Sequence, residues 1–181
     1  MRCLGLLAFF LLSLGWAKRR DGAGRESLRI IHCKRGGAGA AHEDFEVSKV
    51  EIEPCLAGGP WAPKACPLFS GANATIAISF IPKREVSAMR AYVRGVVAGV
   101  ISEFNLPQPD ACQVLACPLV PGQEYTYHAS VPILKAYPLK KRVTVNWQLF
   151  DLSDGAEFDA EKKKSMGEVC LNLRTVIVPD D

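Results

Sequence analysis

The residues YTYHASVPI at 125–133 place Tyr125, Tyr127, Ala129, Val131 and Ile133 on one side of an extended chain and Thr126, His128 and Ser130 on the other. A period of two marks a strand with one buried face, because successive side chains of a pleated chain point to opposite sides. The pattern recurs. NATIAISF sets Ala74, Ile76, Ile78 and Phe80 against Asn73, Thr75 and Ser79, RVTVNWQL aligns Val143, Val145, Trp147 and Leu149, and EVCLNLRTVIV aligns Val169, Leu171, Leu173 and Ile177. From Val47 the run VSKVEIE alternates more loosely, with Val50 and Ile52 opposed to Lys49, Glu51 and Glu53. Val86 to Ile101 is apolar and β-branched but interrupted by Gly95 and Gly99, so it reads as two strands or one bent strand, with helix as the alternative. Strands without convincing helices, separated by Pro and Gly turns, predict an all-β fold: an antiparallel sandwich in which each sheet shows one face to water and one to its partner.

The N-terminus points to the compartment. MRCLGLLAFFLLSLGWA has a charge at Arg2, an apolar run from Leu4 to Leu14 and small residues at Gly15 and Ala17, the pattern of a secretory signal peptide over residues 1–17. The uncharged stretch from Cys3 to Ala17 is shorter than the roughly 20 residues a membrane-spanning helix requires. Cleavage after Ala17 removes one of seven cysteines and leaves Cys33, Cys55, Cys66, Cys112, Cys117 and Cys170, an even set suited to an oxidising lumen or the exterior. Residues 18–32, beginning KRRDGAGRES, are expected to form a flexible tail, Lys34 to Asp44 a mobile loop, and Asp151 to Gly167 a long exposed hairpin loop. The KKK run at 162–164 reads as a solvated face, since three charges are fewer than a membrane-docking cluster normally has.

Charge and motifs exclude more than they assign. A net charge of +3 is far from the basic balance of nucleic-acid binders, so no nucleic-acid partner is expected. There is no phosphate loop, no G-x-S-x-G elbow, no C-x2-C pair and no Cys/His nucleophile that would survive disulfide formation, so neither an enzyme, a metal site nor a cofactor is expected. His128 lies on the polar parity of its strand, and the carboxylates at Asp154 to Asp159, Asp180 and Asp181 sit in a loop and a terminus, where solvation explains them. Six cysteines allow 15 pairings. Cys112 with Cys117 and Cys55 with Cys66 are close enough in sequence to close local loops, which leaves Cys33 and Cys170. The two short cysteine loops do not match the long Cys, Trp, Cys pattern of an immunoglobulin domain.

Cys33, PC at 54–55, ACPL at 65–68, a sequon at Asn73, FNLPQPDAC at 104–112, ACPLVPGQEYTYHASVPILKAYP at 116–138, VTVNWQLFD at 143–151 and Cys170 stand in one order. In that order the chain resembles the myeloid-differentiation-related lipid-recognition (ML) family, and within it the sterol carriers, over residues 33–178. The resemblance implies an immunoglobulin-like two-sheet antiparallel β-sandwich with a lipid cavity between the sheets. It also implies the disulfides Cys33–Cys170, Cys55–Cys66 and Cys112–Cys117. It places Phe104, Ile133 and Tyr137 at a cavity entrance and Tyr127 and Trp147 at deeper lining positions, to which the inward rows of the strands add Val131 and Val145 as lipid-binding candidates. Implied partners are a sterol or other hydrophobic lipid and, transiently, membranes or a membrane sterol transporter, for a monomeric protein that is secreted or reaches the endosomal and lysosomal lumen. An innate-immune lipid co-receptor of the same family is the rival, and a structural or adhesion sandwich with a filled core is the reading outside lipid binding. The segments before Cys55 and before Cys170 are longer than in the family's sterol carriers. Asn73 in Asn73-Ala74-Thr75 is expected to carry an N-linked glycan.

Overall fold

A computed structural model describes residues 31–33, 43–53, 55, 65–97 and 99–180. The expected signal peptide, the tail as far as residue 30, and residues 34–42 of the second loop lie outside the described residues.

Among the described residues the chain forms β1 (Ile31–His32), β2 (Phe45–Glu53), β3 (Cys66–Phe69), β4 (Asn73–Pro82), β5 (Met89–Val97), β6 (Val100–Phe104), β7 (Tyr125–Pro132), β8 (Arg142–Asp151) and β9 (Val169–Val178). One short helix, α1 (Ala160–Lys164), and a 3-10 turn at Ala111–Gln113 complete the order. The smaller sheet runs β2-β4-β7. The larger runs β9-β8-β5-β6, with β1 and β3 both paired to the remaining edge of β9. Every pairing is antiparallel except β3 with β9, which departs from the wholly antiparallel sandwich expected of the sequence.

The alternating rows become the two inner faces. Ile76, Ile78 and Phe80 of β4 and Tyr127 and Val131 of β7 are buried against Trp147 and Leu149 of β8 and Leu171 and Leu173 of β9. The loose alternation of β2 has a local cause: its register against β4 shifts between Val47 and Lys49, a bulge that lets Val50 and Ile52 return to the core side. The two glycines of the ambiguous apolar stretch settle it as a hairpin. Val97 pairs with Val100, and Gly99 takes the turn at φ +86°, where an L side chain is strained. Gly95 accommodates a neighbour. A Cβ there would lie 2.5 Å from the Phe104 ring, so its missing side chain lets that ring lie over β5.

Three expectations need correction. Ile31 and His32 do not belong to the tail; they pair with Asn172 and Leu171 of β9. The segment from Asp151 to Gly167 is not simply an exposed loop. Asp151 is buried at the end of β8, where it takes an ion pair from Arg84, and Phe158 packs on the outer side of the large sheet, with ring centroids 5.1 Å from Phe150 and 5.5 Å from Tyr92. Each such aromatic pair contributes on the order of 1 kcal/mol beyond its area. The lysine run is not uniformly solvated either: Asp159 caps α1, Lys163 donates to Glu103 at 2.8 Å, and its ammonium stands 5.5 Å from the Tyr92 ring centroid.

The outer side of the large sheet therefore buries polar groups, and it does so in a connected network. Arg94 and Gln148 both donate to Asn146 Oδ1, at 3.0 and 2.6 Å, Asn146 Nδ2 donates to Asn172 at 3.0 Å, and the Gly167 N–H donates to Gln148 at 2.8 Å. Mutual satisfaction is what makes buried amides tolerable. Disulfides join Cys33 to Cys170 beside this network, Cys55 to Cys66, and Cys112 to Cys117, with Cα–Cα separations of 5.4, 5.2 and 5.5 Å.

Candidate functional site

The sandwich is not packed solid at one end. A slot lies between the sheets, lined by Ala74 and Ile76 of β4, Val131 of β7, Ile133 beyond it, Val143, Val145 and Trp147 of β8, Phe104 at the end of β6, and Tyr137 from the loop after β7. Inward rows of strands produce this lining automatically, since alternate residues of each strand share a face. The slot is narrow, with a cavity volume of about 50 Å³. That width holds a few water molecules and no sterol.

Phe104 and Tyr137 are the partly buried aromatic side chains of the lining. Their rings meet edge to face, with centroids 5.6 Å apart and planes at 77°. Phe104 rests on the bare backbone of Gly95, and the following loop, stiffened by Pro107 and Pro109, is tied back where the Ala91 N–H donates to Pro109 O at 2.8 Å. Tyr137 sits in a turn closed by its N–H to Leu134 O at 3.0 Å, and partial burial raises its hydroxyl pKa. Ile133 is held by backbone bonds to Gly71 and Ala72 and is only 6 % exposed, so it is a wall of the slot more than an open rim.

The lining offers few hydrogen-bonding groups. The Thr175 hydroxyl is turned to Val143 O at 3.0 Å. Among the described residues nothing hydrogen-bonds the buried Trp147 indole nitrogen or the buried Tyr127 hydroxyl, and desolvation drives the Tyr127 pKa upward. All the lining and entrance residues expected from the sequence meet at this slot except Tyr127, which lies behind Trp147 with ring centroids 6.3 Å apart.

Sequence reasoning missed several walls. Ala74, Ile76, Val143, Leu173 and Ile177 stood in the inward rows already recognised, and extending those rows to the open end would have found Ala74, Ile76 and Val143. Leu68 and Val93 carried no such signal, because the parallel pairing of β3 and the position of β5 are long-range properties. His128 is exposed on the outer side of β7, and Asn73 is exposed at the start of β4. Among the described residues no group of three or more His, Cys, Asp or Glu side chains is placed to hold a metal ion. A wider groove on the other side of the large sheet, lined by Arg94, Thr144, Asn146, Asn172 and Lys164, is polar, and its buried floor amides are committed to each other.

Comparison with known proteins agrees with this architecture. The ML-domain family model matches residues 27–158. NPC intracellular cholesterol transporter 2 of Danio rerio is 35% identical over 109 residues, covering 60% of this chain and 68% of that protein. NPC intracellular cholesterol transporter 2 homolog a of Drosophila melanogaster is 36% identical over 112 residues, covering 61% of this chain and 72% of that one. The crystal structure of a Niemann-Pick type C2 protein from Japanese carpenter ant superposes with a TM-score of 0.61 at 19% identity, covering 82% of this chain and 98% of that chain, which establishes the shared fold. Two sheets holding an apolar slot, and a family match over most of the strands that build it, lead to one assignment: the chain belongs to the ML-domain family.

Proposed function

We propose that the protein is a carrier that takes a sterol or similar hydrophobic lipid into the slot between its sheets and hands it on to a membrane or a membrane transporter. The observation that carries this reading is the apolar slot itself, open at one end and framed by Phe104 and Tyr137, in a chain whose relatives are named as intracellular cholesterol transporters. Loading requires the sheets to part and the two aromatic rings to swing. The driving force is sufficient: burying roughly 400 Å² of lipid surface at about 25 cal/mol per Å² gives about 10 kcal/mol gross. Association and ordering offset a good part of that and leave micromolar to nanomolar binding.

Delivery needs contact with a bilayer, and the mouth is dressed for it. Leu134 and Leu139, 49 % and 45 % exposed, flank Tyr137, and Lys135, Lys140, Lys141 and Arg142 are exposed beside them. Apolar side chains among basic ones suit an anionic membrane surface, where each basic residue contributes about 1 kcal/mol. The chain's route is the secretory one, to the exterior or the endosomal and lysosomal lumen, in keeping with its disulfides and leader-like N-terminus.

Native mass spectrometry of protein purified from its source, followed by solvent extraction, tests the reading. One sterol-sized lipid per chain is the expected result. A bundle of acyl chains would support the co-receptor alternative, and an empty chain that also fails to bind added sterol would leave a filled-core sandwich.

A further inference from the structure

The outer side of the large sheet carries a second concavity, the polar groove, with a volume of about 580 Å³. That is within the range of small-molecule sites, and the strand parity that turns Val145 and Trp147 toward the slot turns Thr144, Asn146 and Gln148 to this opposite side. Cross-strand pairing builds the floor. Val96, Thr144 and Arg174 stand side by side on β5, β8 and β9, and Arg94, Asn146 and Asn172 form the adjacent row.

The hydrogen bonds of this floor run in one direction. A backbone N–H only donates, so the Gly167 N–H holds the Gln148 oxygen toward itself at 2.8 Å and leaves Gln148 Nε2 to face Asn146. Arg94 Nε also only donates. Asn146 therefore turns its oxygen to both nitrogens, at 3.0 and 2.6 Å, and its own nitrogen to Asn172 Oδ1 at 3.0 Å. Each of these amide oxygens is thus met from within the protein. What is left without a hydrogen-bond partner among the described residues is a set of donors: Asn172 Nδ2 and the two terminal guanidinium nitrogens of Arg94. The exposed Lys164 ammonium, bonded to Glu161 alone, adds another. Glu103 stands opposite Arg94 in the register, but its two oxygens accept from the Tyr92 hydroxyl and from Lys163, at 2.9 and 2.8 Å. Among the described residues no carboxylate lines the groove.

A surface that offers donors and positive charge selects by charge. A phosphate or sulfate ester presents several acceptor oxygens, and charge-assisted bonds to these are the strong ones, whereas a neutral hydroxyl brings a donor for every acceptor. Between the donors lie the aliphatic Val96 and Met166, which suit the C–H face of a sugar ring. Arg94 is half-buried, so it is reached by a ligand that enters the groove and not by a flat bilayer. We propose that this groove binds a phosphate or sulfate ester of a soluble sugar, with Arg94 and Asn172 holding the anion and Lys164 closing on it from the rim. The site is independent of the slot and of the carrier reading.

The test is isothermal titration calorimetry of the secreted protein, at low ionic strength, with glucose 6-phosphate, glucose 6-sulfate, inorganic phosphate and glucose. Either ester should bind at least about tenfold more tightly than glucose, since charge-assisted bonds are at stake, and more tightly than inorganic phosphate. Arg94→Met keeps the aliphatic stem and removes the donors. Asn172→Asp keeps the oxygen that accepts from Asn146 and puts a charged oxygen where the outward nitrogen was. Each should weaken ester binding about tenfold, and Lys164→Gln, at an exposed position, about threefold. A thermal melt and sterol binding, both unchanged, show that fold and slot are intact. Esters that bind no better than glucose, or that keep wild-type affinity in Arg94→Met and Asn172→Asp, overturn the site. Inorganic phosphate binding as tightly as both esters overturns the sugar and leaves an adventitious ion only. Binding confined to phosphatidylcholine vesicles containing phosphatidylinositol 4-phosphate overturns the soluble ligand in favour of a lipid headgroup. Lys164→Gln leaves the floor untouched, so unchanged ester affinity in that variant refutes the proposal even where both floor variants misfold.

Discussion

Replacing Gly95 by Ala tests whether the Phe104 ring governs entry to the slot. The backbone at Gly95 is not in the left-handed region, so in isolation the change is favourable, worth about 0.4–1 kcal/mol through a less disordered unfolded chain. The added Cβ, however, falls 2.5 Å from Phe104 Cε2 and 2.8 Å from Cζ, and 3.4 Å from a Val143 methyl. Ordinary carbon contacts begin near 3.5 Å, so the ring must retreat by about 1 Å. Its tip is the mobile end of a side chain, and the free direction is away from β5, into the mouth. Retreat disturbs the edge contact with Tyr137, about 0.5–1.5 kcal/mol. Gain and loss nearly cancel, so the melting temperature should stay within about 4 °C of wild type. Sterol association, followed by stopped-flow fluorescence, should slow about tenfold as the mouth narrows. A melt lowered by 10 °C or more would mean that the ring cannot move and that Gly95 serves core packing, with an overpacking cost of about 1–3 kcal/mol. Unchanged association with an unchanged melt would remove Phe104 from the entrance.

Other perturbations separate entrance from wall and charge from packing. Phe104→Ala and Tyr137→Ala, both half-buried, should weaken lipid binding with little loss of stability, whereas Trp147→Ala should lose about 3–5 kcal/mol together with binding in a titration run beside a melt. Ile133→Ala, at 6 % exposure, should follow Trp147 in kind at about 2–5 kcal/mol; a wild-type melt would return it to the rim. Burial raises the pKa of Glu168, and the Asp151 charge adds to this, while N–H donation from Asp151 opposes it. A carboxyl whose folded pKa exceeds its unfolded value destabilises the fold above that raised value, and the penalty fades as pH falls below the ordinary glutamate range. Glu168→Gln should therefore raise the melting temperature at neutral pH and lose that advantage in acid, and a gain independent of pH would refute the assignment. Asn73 should carry an N-linked glycan, and an unchanged mass after peptide N-glycosidase treatment of secreted protein would refute it.

What could be read before folding was whatever repeats at short range. The inward rows of β4, β7, β8 and β9 were legible because each residue's face follows from its parity, and the slot is made largely of those rows. Parity does not report what covers the opposite face. Asn146, Gln148 and Phe150 belong to the outward row of β8 yet are buried, because Phe158 and the segment ahead of β9 fold over them from a distance in sequence. Nor does alternation report direction of pairing, which is why the parallel β3 escaped notice. Gly95 and Gly99 showed as interruptions of an apolar run, but that one makes a turn and the other seats an aromatic ring depends on where Phe104 returns along β6.

The pairing of β9 bears on how the chain is made. It is the last of the described strands, yet β8, β1 and β3 all bond to it, and Cys170 within it holds Cys33. During synthesis β2, β4 and β7 can associate, as can β5, β6 and β8, but β1 and β3 have nowhere to dock and Cys33 has no native mate until Val169–Val178 emerges. Contacts between the ends of a chain form late and slowly. The nascent chain therefore carries Cys33 free alongside Cys55 and Cys66 until β9 emerges, an interval in which a wrong bridge can form. Its yield on expression should depend more on that interval than on the strength of the finished core.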